Sequence, residues 1–372
     1  MKLTIERAAL LKSLTHVQSV VERRNTIPIL SNILLRAEND CLSLTATDMD
    51  LEVIETTTAE VSEAGATTTP AHTLYEIVRK LPDGSQVQIA LEPGAGRLTL
   101  SAGRSKFNLA VLPVDDFPVM SGGDLPVSFG LAAAELRGLI DRAEFAISTE
   151  ETRYYLNGIY FHATDAEGTK ILRAVATDGH RLARVEAPLP DGAENMPGVI
   201  VPRKTIGELR KLIDETGEAV DIALSDTKIR FGFGKAVLTS KLIDGTFPDY
   251  ERVIPSGNDK TLDIECKGFA DAVDRVSAIS IEKSRAVKVV LSGNTLTLSA
   301  SSPEHGTASE ELEINYDAED IEIGFNSRYL LDIAKQVKGD TLNLLMSDGS
   351  SPTILRDTDD LSALYVLMPM RV

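Results

Sequence analysis

The segment Lys2-Leu-Thr-Ile-Glu6 runs almost directly into Ala8-Ala-Leu-Leu-Lys-Ser-Leu14, and this succession predicts a short strand followed by a helix. The same succession returns at Val127-Ser-Phe129 into Ala133-Ala-Glu-Leu-Arg-Gly-Leu139 and at Leu262-Asp-Ile264 into Phe269-Ala-Asp-Ala-Val-Asp-Arg-Val276. A related succession occurs three more times: Thr69-Pro70 into Leu74-Tyr-Glu-Ile-Val78, Val201-Pro202 into Ile206-Gly-Glu-Leu209, and Ile323-Gly-Phe325 into Tyr329-Leu-Leu-Asp-Ile333. Self-similarity of this kind indicates an architecture built from one repeated unit. We therefore expect six copies of a strand-and-helix unit.

Turn-rich stretches between these copies predict domain boundaries. They are Met120-Ser-Gly-Gly-Asp-Leu-Pro126 and Pro255-Ser-Gly-Asn-Asp259, which divide the chain into residues 1–122, 123–254 and 255–372. Each part is long enough to bury a core of its own. Between the predicted helices, stretches such as Ile33-Leu-Leu-Arg36 and Arg97-Leu-Thr-Leu-Ser101 are typical of half-buried strands. The fold class we expect is α+β, with three similar domains, antiparallel sheets and helices gathered on one face.

Composition excludes several classes of protein. The chain has 372 residues, of which 43% are hydrophobic and 25% charged, as in a folded soluble protein. It has two cysteines, Cys41 and Cys266, which we expect to be small core residues rather than a disulfide framework. That usage, with no signal-like or membrane-spanning apolar run, predicts a location in the reducing cytoplasm.

Charge is distributed unevenly between the predicted elements. The whole chain has a net charge of −18, which by itself disfavours nucleic acid as a partner. The predicted helical windows nevertheless carry a net positive charge, counted over residues 7–24, 71–80, 131–144, 202–214, 268–285 and 326–338. Because Lys and Arg also favour helices in general, this sorting has a structural explanation as well. Six helices on one side, each carrying basic residues, would suit contact with the phosphates of a duplex without reading its sequence.

Modules that read bases are not evident. We find no trustworthy helix-turn-helix pattern, no zinc-finger spacing and no aromatic run of the kind that stacks on single strands. Aromatic residues make up 5% of the chain and Trp is absent. Loose, sequence-independent contact with duplex DNA is therefore the better expectation.

Several longer strings resemble a known family. They are Arg153-Tyr-Tyr-Leu-Asn-Gly158, Val175-Ala-Thr-Asp-Gly-His-Arg-Leu182, Val201-Pro-Arg-Lys204, Phe247-Pro-Asp-Tyr250 and Tyr365-Val-Leu-Met-Pro-Met-Arg371. Together, in this order and spacing, they resemble the bacterial sliding clamp, the β subunit of the replicative DNA polymerase. The resemblance implies the DNA clamp fold, in which a head-to-tail homodimer closes a six-domain ring around duplex DNA. It also implies a non-catalytic processivity factor without a cofactor, which an external loader opens with ATP.

The resemblance implies a pocket that holds the polymerase, the loader and repair proteins by short linear peptides. Leu, Val, Met and Pro would form an apolar socket for an aromatic or leucine anchor, with Arg and His at its rim. The matching positions are Leu156, Thr177, Gly179, His180, Arg181, Leu182, Pro248, Arg252, Val253, Asn326, Tyr329, Val366, Leu367, Met368, Pro369, Met370 and Arg371. The chain departs from the family pattern at Ser284 and Pro352.

Two further sets of residues follow from the resemblance and from the helix charge. The resemblance implies DNA contacts at Arg24, Tyr154 and Tyr155, and the helix charge adds Arg23, Arg79, Lys80, Arg137, Arg203, Lys204, Arg210 and Lys211. For ring closure it implies that Phe107 and Leu109, at an edge of the first domain, pack on the partner's Ala278 and the partner's Ile279.

A metal-dependent DNA-processing enzyme remains the alternative. Asp48, Asp50 and Glu52 alternate, as metal ligands on one strand face would, although an acidic turn before a strand explains them equally well. Asp178-Gly-His180 has no nucleophile beside it, and Gly232-Phe-Gly-Lys235 is too short for a phosphate-binding loop. The scattered histidines are expected at the surface or at caps: His16, His72, His162 and His305. A plain interaction scaffold is a third reading.

Overall fold

The structure of the chain is a computed structural model, which describes residues 1–92, 94, 96–120, 123–213, 219–280 and 285–371. The described residues form six α-helices: α1 Arg7–Gln18, α2 Ala71–Lys80, α3 Ala133–Asp141, α4 Arg203–Ile213, α5 Cys266–Ser277 and α6 Ser327–Ala334. In this part of the chain no helix is long and apolar enough to span a bilayer.

Strands make up most of the remaining regular structure. The first seventeen are β1 Lys2–Glu6, β2 Asn32–Glu38, β3 Cys41–Thr47, β4 Leu51–Thr58, β5 Glu60–Glu63, β6 Gly65–Pro70, β7 Gln86–Ala90, β8 Arg97–Ala102, β9 Ser105–Ala110, β10 Val127–Ala132, β11 Gly158–Ala166, β12 Thr169–Thr177, β13 Arg181–Pro188, β14 Val199–Pro202, β15 Ala219–Leu224, β16 Lys228–Phe233 and β17 Ala236–Lys241. The others are β18 Lys260–Glu265, β19 Ala286–Ser292, β20 Thr295–Ser302, β21 Gly306–Glu313, β22 Ile321–Asn326, β23 Thr341–Met346, β24 Thr353–Asp357 and β25 Ala363–Leu367.

The repeated strand-and-helix unit is confirmed. Each helix starts at the residue after a strand ends, in the pairs β1–α1, β6–α2, β10–α3, β14–α4, β18–α5 and β22–α6. The junction residue often caps its helix: the carboxylate of Glu6 accepts from Ala9 N, and the side chain of Asn326 accepts from Arg328 N. Several helices are shorter than predicted, and α1 ends at Gln18.

Unit 1 comprises residues 1–137, 190–197 and 204–242. It has a five-stranded sheet in the order β5-β1-β7-β8-β9 and an eight-stranded sheet in the order β10-β15-β16-β17-β4-β3-β2-β6. Helix α1 packs against α2 and against strands β3 and β4. Leu10, Leu14 and Val17, at helical spacing, are fully buried in this contact.

Unit 2 comprises residues 138–189, 198–203 and 243–372. It has an eight-stranded sheet in the order β14-β11-β12-β13-β25-β24-β23-β18 and a four-stranded sheet in the order β21-β20-β19-β22. Helix α5 packs against α6 and against β20 and β21, with Phe269 and Phe325 buried. The pairing of named strands is antiparallel throughout, as the α+β prediction requires.

Strand pairing crosses both predicted domain boundaries. In unit 1, β17 pairs with β4 in the register Leu238↔Val53. In unit 2, β13 pairs with β25 in the register Leu182↔Val366. Each eight-stranded sheet therefore takes four strands from either side of a boundary. Two compact units result, and the division into three domains stays a prediction.

Candidate peptide-binding site and DNA-contact residues

One face of the eight-stranded sheet in unit 2 carries an apolar row. Leu182 on β13 lies opposite Val366 on β25, which lies opposite Ile354 on β24. All three side chains belong to one buried cluster, to which Leu156 also belongs. We call this side of the sheet the Leu182 face. Successive strand residues point to opposite faces, so Arg181 and Tyr365 lie on the other side, which we call the helix face.

The segment between β17 and β18 covers part of the Leu182 face with aromatic rings. Phe247 stacks on Tyr160 at a centroid separation of 4.9 Å, and the Tyr250 hydroxyl lies 2.9 Å from His162 Nε2. Both Phe247 and Tyr250 are buried in the cluster. From the same segment the predicted residues Pro248, Arg252 and Val253 are exposed, and Arg252 pairs with Asp249. This segment therefore lies against the apolar cluster, and a role of its exposed members in peptide binding stays a prediction.

A tight turn brings His180 to the edge of that site. Thr177 Oγ1 donates to the Arg181 carbonyl at 2.7 Å and accepts from Gly179 N at 3.1 Å. Gly179 has φ of +87°, a left-handed backbone conformation that favours glycine. His180 is left exposed. Its position is fixed by Asp178, whose Oδ1 accepts from His180 N at 2.9 Å.

The end of the chain lies beside this turn. Met368 N donates to the His180 carbonyl at 2.9 Å, and Met370 forms a bridge with Gly324. Met368 is 37% exposed, whereas Val366 is buried. The predicted members Pro369, Met370 and Arg371 are partly or fully exposed. Flexible methionine above a buried apolar floor suits a site that accepts different apolar side chains.

The structure corrects the predicted place of Arg181. Its guanidinium lies on the helix face, 9% exposed, and donates to Asp332 Oδ2 at 2.7 Å and to the Phe145 carbonyl at 2.6 Å. The guanidinium carbon, Cζ, also lies 4.2 Å from the centre of the Tyr329 ring. Because these partners occupy its donors, Arg181 does not offer a rim charge. Leu367, its strand partner, is fully buried on the same face.

Two other predicted members of the peptide site make contacts within unit 2. The side chain of Asn326 is occupied as the cap of α6, and the Tyr329 ring stacks 6.4 Å from the His180 ring. The Tyr329 ring therefore contacts both the Arg181 guanidinium and the His180 ring. Of the two departures from the family pattern, the Pro352 carbonyl accepts from Asn258 Nδ2 at 3.0 Å. Ser284 lies outside the described residues.

The predicted DNA-contact residues differ in their exposure and in the ion pairs that they form. Arg23 and Arg24 are exposed but follow α1 rather than belonging to it, and Arg203 and Arg137 are exposed on α4 and α3. Glu76 pairs with both Arg79 and Lys80, and Glu208 pairs with Lys211. Lys204 is held by Asp48 Oδ2 at 2.5 Å and by Glu22 at 3.2 Å. Exposed pairs of this kind are worth at most about 1 kcal/mol, so a phosphate could displace most of them.

The remaining predicted DNA-contact residues also differ in exposure. Tyr154 is 53% exposed. Tyr155, predicted beside it as a DNA contact, packs instead against the apolar cluster of the Leu182 face. Arg210 on α4 is half-buried. We therefore expect Tyr154 and Arg24 to be the more available of the residues implied by the resemblance.

The acidic residues of the alternative enzyme hypothesis are occupied by structural contacts. Asp48 Oδ1 accepts from the backbone N–H groups of Asp50 and Leu51, and its Oδ2 holds Lys204. Glu52 is buried and accepts from Met120 N at 3.1 Å, and this burial raises the pKa of its carboxyl group. Within the described ranges no three His, Cys, Asp or Glu side chains are grouped as metal ligands. The acidic-turn explanation fits this geometry.

Three expectations about single residues need correction. His16 is buried on α1 against Glu55 and Ser13 shares that carboxylate, so His16 is neither a surface nor a capping residue. His162 is partly buried against Tyr250. Cys41 is half-exposed rather than part of the core, whereas Cys266 is buried as expected.

Two of the predicted ring-closing residues lie on an edge strand, and the other two follow helix α5. Phe107 and Leu109 belong to β9, an edge of the five-stranded sheet. Ala278 is the C-cap of α5, and Ile279 is the next residue along the chain. Helix α5 itself packs against the edge strand β21. Leu109 is 8% exposed and Phe107 is half-exposed. An edge strand presents unpaired backbone groups that can accept a strand of another chain.

The strand-and-helix unit repeated six times along the described chain agrees with the DNA clamp fold that the sequence resemblance implies. Residues 1–121, 130–249 and 251–371 match the N-terminal, central and C-terminal domains of the DNA polymerase III beta subunit. The chain belongs to this family, the bacterial beta sliding clamps, and the family is non-catalytic.

Individual relatives agree over their full length. The chain is 58% identical to the beta sliding clamp of Caulobacter vibrioides and 39% identical to that of Escherichia coli K12, with 100% of both chains covered in each comparison. A crystal structure of the Caulobacter crescentus clamp superposes with a TM-score of 0.98 at 58% identity, covering 100% of this chain and 99% of that one. A Bartonella birtlesii clamp bound to griselimycin gives 0.97 at 51% identity, with 100% of each chain covered.

Proposed function

We propose that two copies of this chain close head to tail into a six-domain ring around duplex DNA, and that the Leu182 face holds short peptides of the proteins tethered there. Each copy would contribute the three predicted domains 1–122, 123–254 and 255–372. The replicative polymerase, the loader and repair proteins are the partners we expect, in the cytoplasm.

The observation that carries this proposal is the pair of open edges at β9 and β21. Joining the five-stranded sheet of one copy to the four-stranded sheet of the other would give a sheet close in size to the two eight-stranded ones. The flanking charges are complementary, because Arg104 and Lys106 lie at β9 whereas Glu311 and Glu313 lie on β21.

Apolar contacts would add to this edge pairing. Phe107 and Leu109 would pack on the partner's Ala278 and the partner's Ile279. Burying a large apolar side chain is worth about 1.5–3 kcal/mol. A few such contacts and one strand pairing make a stable dimer that a loader can still open at one seam.

In this proposal the direct contacts between the protein and DNA are few and weak. Arg24, Arg137, Arg203 and Tyr154 are exposed and would touch phosphates or sugars without reading bases. Retention would come from encirclement, because a closed ring leaves DNA only past an end. Few contacts then allow the ring to slide.

The Leu182 face would take a leucine or aromatic anchor over Leu182 and Val366. Exposed Val253, Met368 and His180 would surround it. Arg181 would act as a positioning residue, since it fixes the turn that carries His180. A partner held here stays at high effective concentration beside the DNA without new chemistry.

The mass of the native protein at low micromolar concentration tests ring formation directly. One chain is 40.2 kDa, and we expect a species of twice this mass by sedimentation or native mass spectrometry. A single 40.2 kDa species under these conditions would contradict the dimeric ring.

A further inference from the structure

Two arginines lie on the Leu182 face next to its apolar row. Arg184 on β13 is opposite Leu364 on β25. Arg356 on β24 is two residues beyond Ile354, so it shares that face and flanks Leu364 from the other side. With strands about 4.8 Å apart, the two arginine Cα atoms are separated by about 10 Å.

One buried donor of each arginine is left without a hydrogen bond. The Nε atoms of Arg184 and Arg356 are buried and make no hydrogen bond among the described residues. Arg184 Nε is 3.2 Å from Glu186 Oε1, but Arg173 Nε already donates to that oxygen at 2.8 Å. Within the described part of the chain, Arg356 has no carboxylate at ion-pair distance. An unsatisfied buried donor costs about 1–3 kcal/mol, and more when charged.

The charges around these arginines do not balance. Arg173, Arg184 and Arg356 face two carboxylates, Glu186 and Glu251, of which Glu251 is bound to Arg173. Burial and the nearby positive charges of Arg173 and Arg356 lower the pKa of Arg184. The site therefore has an excess positive charge beside an apolar cluster.

We propose that the peptide docked on the Leu182 face places an Asp or Glu side chain between Arg184 and Arg356. This inference rests on the proposed peptide docking and specifies the chemistry of the peptide. The arginines lie two strand residues from the Leu182–Val366–Ile354 row, which is about 7 Å. An extended peptide covers that distance in about two residues. The carboxylate thus belongs two residues from the apolar anchor.

Binding of matched peptides tests the subsite. The probes are the fluorescein-labelled peptides Ala-Glu-Ser-Leu-Phe-Ser and Ser-Leu-Phe-Ser-Glu-Ala, each beside a version with Gln in place of Glu. Their affinities are measured by fluorescence anisotropy on the full chain, on the double variant Arg184→Gln/Arg356→Gln, and on Lys288→Gln. Lys288 is a matched control because it is a strand residue paired with Glu322 on the four-stranded sheet.

We expect one Glu peptide to bind wild type and Lys288→Gln about tenfold more tightly than its Gln version, as one charge-assisted hydrogen bond provides. The advantage should vanish in the double variant and shrink with added salt. Equal binding of Glu and Gln peptides to wild type, or an advantage that survives in the double variant, would overturn the inference while peptide docking stands. If none of the four peptides binds at millimolar concentration, the docking proposal fails and the subsite fails with it.

Thermal unfolding of the unliganded double variant gives a second readout. Because the two Nε atoms are unsatisfied, removing the guanidinium groups should leave the melting temperature unchanged or raise it. A clear fall in the melting temperature would show that the two arginines stabilise the folded chain, and would overturn their assignment as a ligand site.

Discussion

The Arg181 guanidinium carbon lies 4.2 Å from the centre of the Tyr329 ring, so a strand that carries Leu182 on one face is joined to helix α6 on the other. Asp332, also on α6, accepts from the same guanidinium at 2.7 Å. A planar, bidentate cation is needed for this combination of stacking and hydrogen bonding. Arg181 thereby links the strand of the proposed peptide site to α6 within unit 2.

Replacing Arg181 by Lys should destabilise the chain by about 1–3 kcal/mol, because an ammonium group cannot reproduce the several hydrogen bonds of the guanidinium together with its ring contact. Urea unfolding measures the free energy of unfolding. The control is Arg328→Lys, at an exposed position on α6 near Asp332. Peptide affinity should fall as well, since the turn bearing His180 loses its anchor. Unchanged stability would remove Arg181 from its positioning role.

Phe107→Asp should convert the dimer into monomers, since it places a charge in the β9 edge that we propose is buried. Analytical ultracentrifugation at micromolar concentration measures this. Val61→Asp is the matched control, because β5 is the opposite edge of the same sheet. A dimer that persists in the Phe107 variant but dissociates in the Val61 variant would assign ring closure to the wrong edge.

Arg24→Gln should reduce the salt dependence of DNA binding by on the order of one unit in the log–log slope, as loss of one phosphate contact does. Lys204→Gln should change it less, because Asp48 and Glu22 already neutralise that ammonium group. Titration of a duplex at several salt concentrations gives both slopes. The reverse ranking would show that the ion pairs of Lys204 open on DNA.

Acid should destabilise the chain partly through His162. Burial, reinforced by the positive charge of Arg173, holds the pKa of His162 below its ordinary 6.5. As the pH falls below 6.5 the unfolded chain therefore takes up a proton that the folded chain resists, and the free energy of unfolding drops by at most about 1.4 kcal/mol per pH unit. His162→Gln should flatten the pH dependence in this window, as measured by urea unfolding at several pH values. Parallel curves for both proteins would contradict this assignment.

The repeat, the strand alternation and the family could all be predicted from the sequence. The sequence predicts Leu182 and Val366 as peptide-site residues because both lie in strings shared with the family, and this stays a prediction. The alternation of strand residues also predicts that Arg181 lies on the opposite face from Leu182. The resemblance to the family instead suggests the rim of the pocket.

Other features depend on contacts between distant parts of the chain. Lys204 meets Glu22 and Asp48 across 182 and 156 residues, which no local pattern encodes. The burial of His16 against Glu55 and of Glu52 against Met120 N is of the same kind. The unsatisfied donors of Arg184 and Arg356 likewise appear only when the strands are in register.

The central claim is that the grip on DNA is topological, and release from an opened circle tests it most directly. The protein is loaded on nicked circular DNA with a clamp loader and ATP, isolated, and then exposed to a restriction enzyme that cuts the circle once. Our account predicts retention on the circle and rapid loss once the DNA has free ends. Equal retention on the unblocked linear product would contradict encirclement.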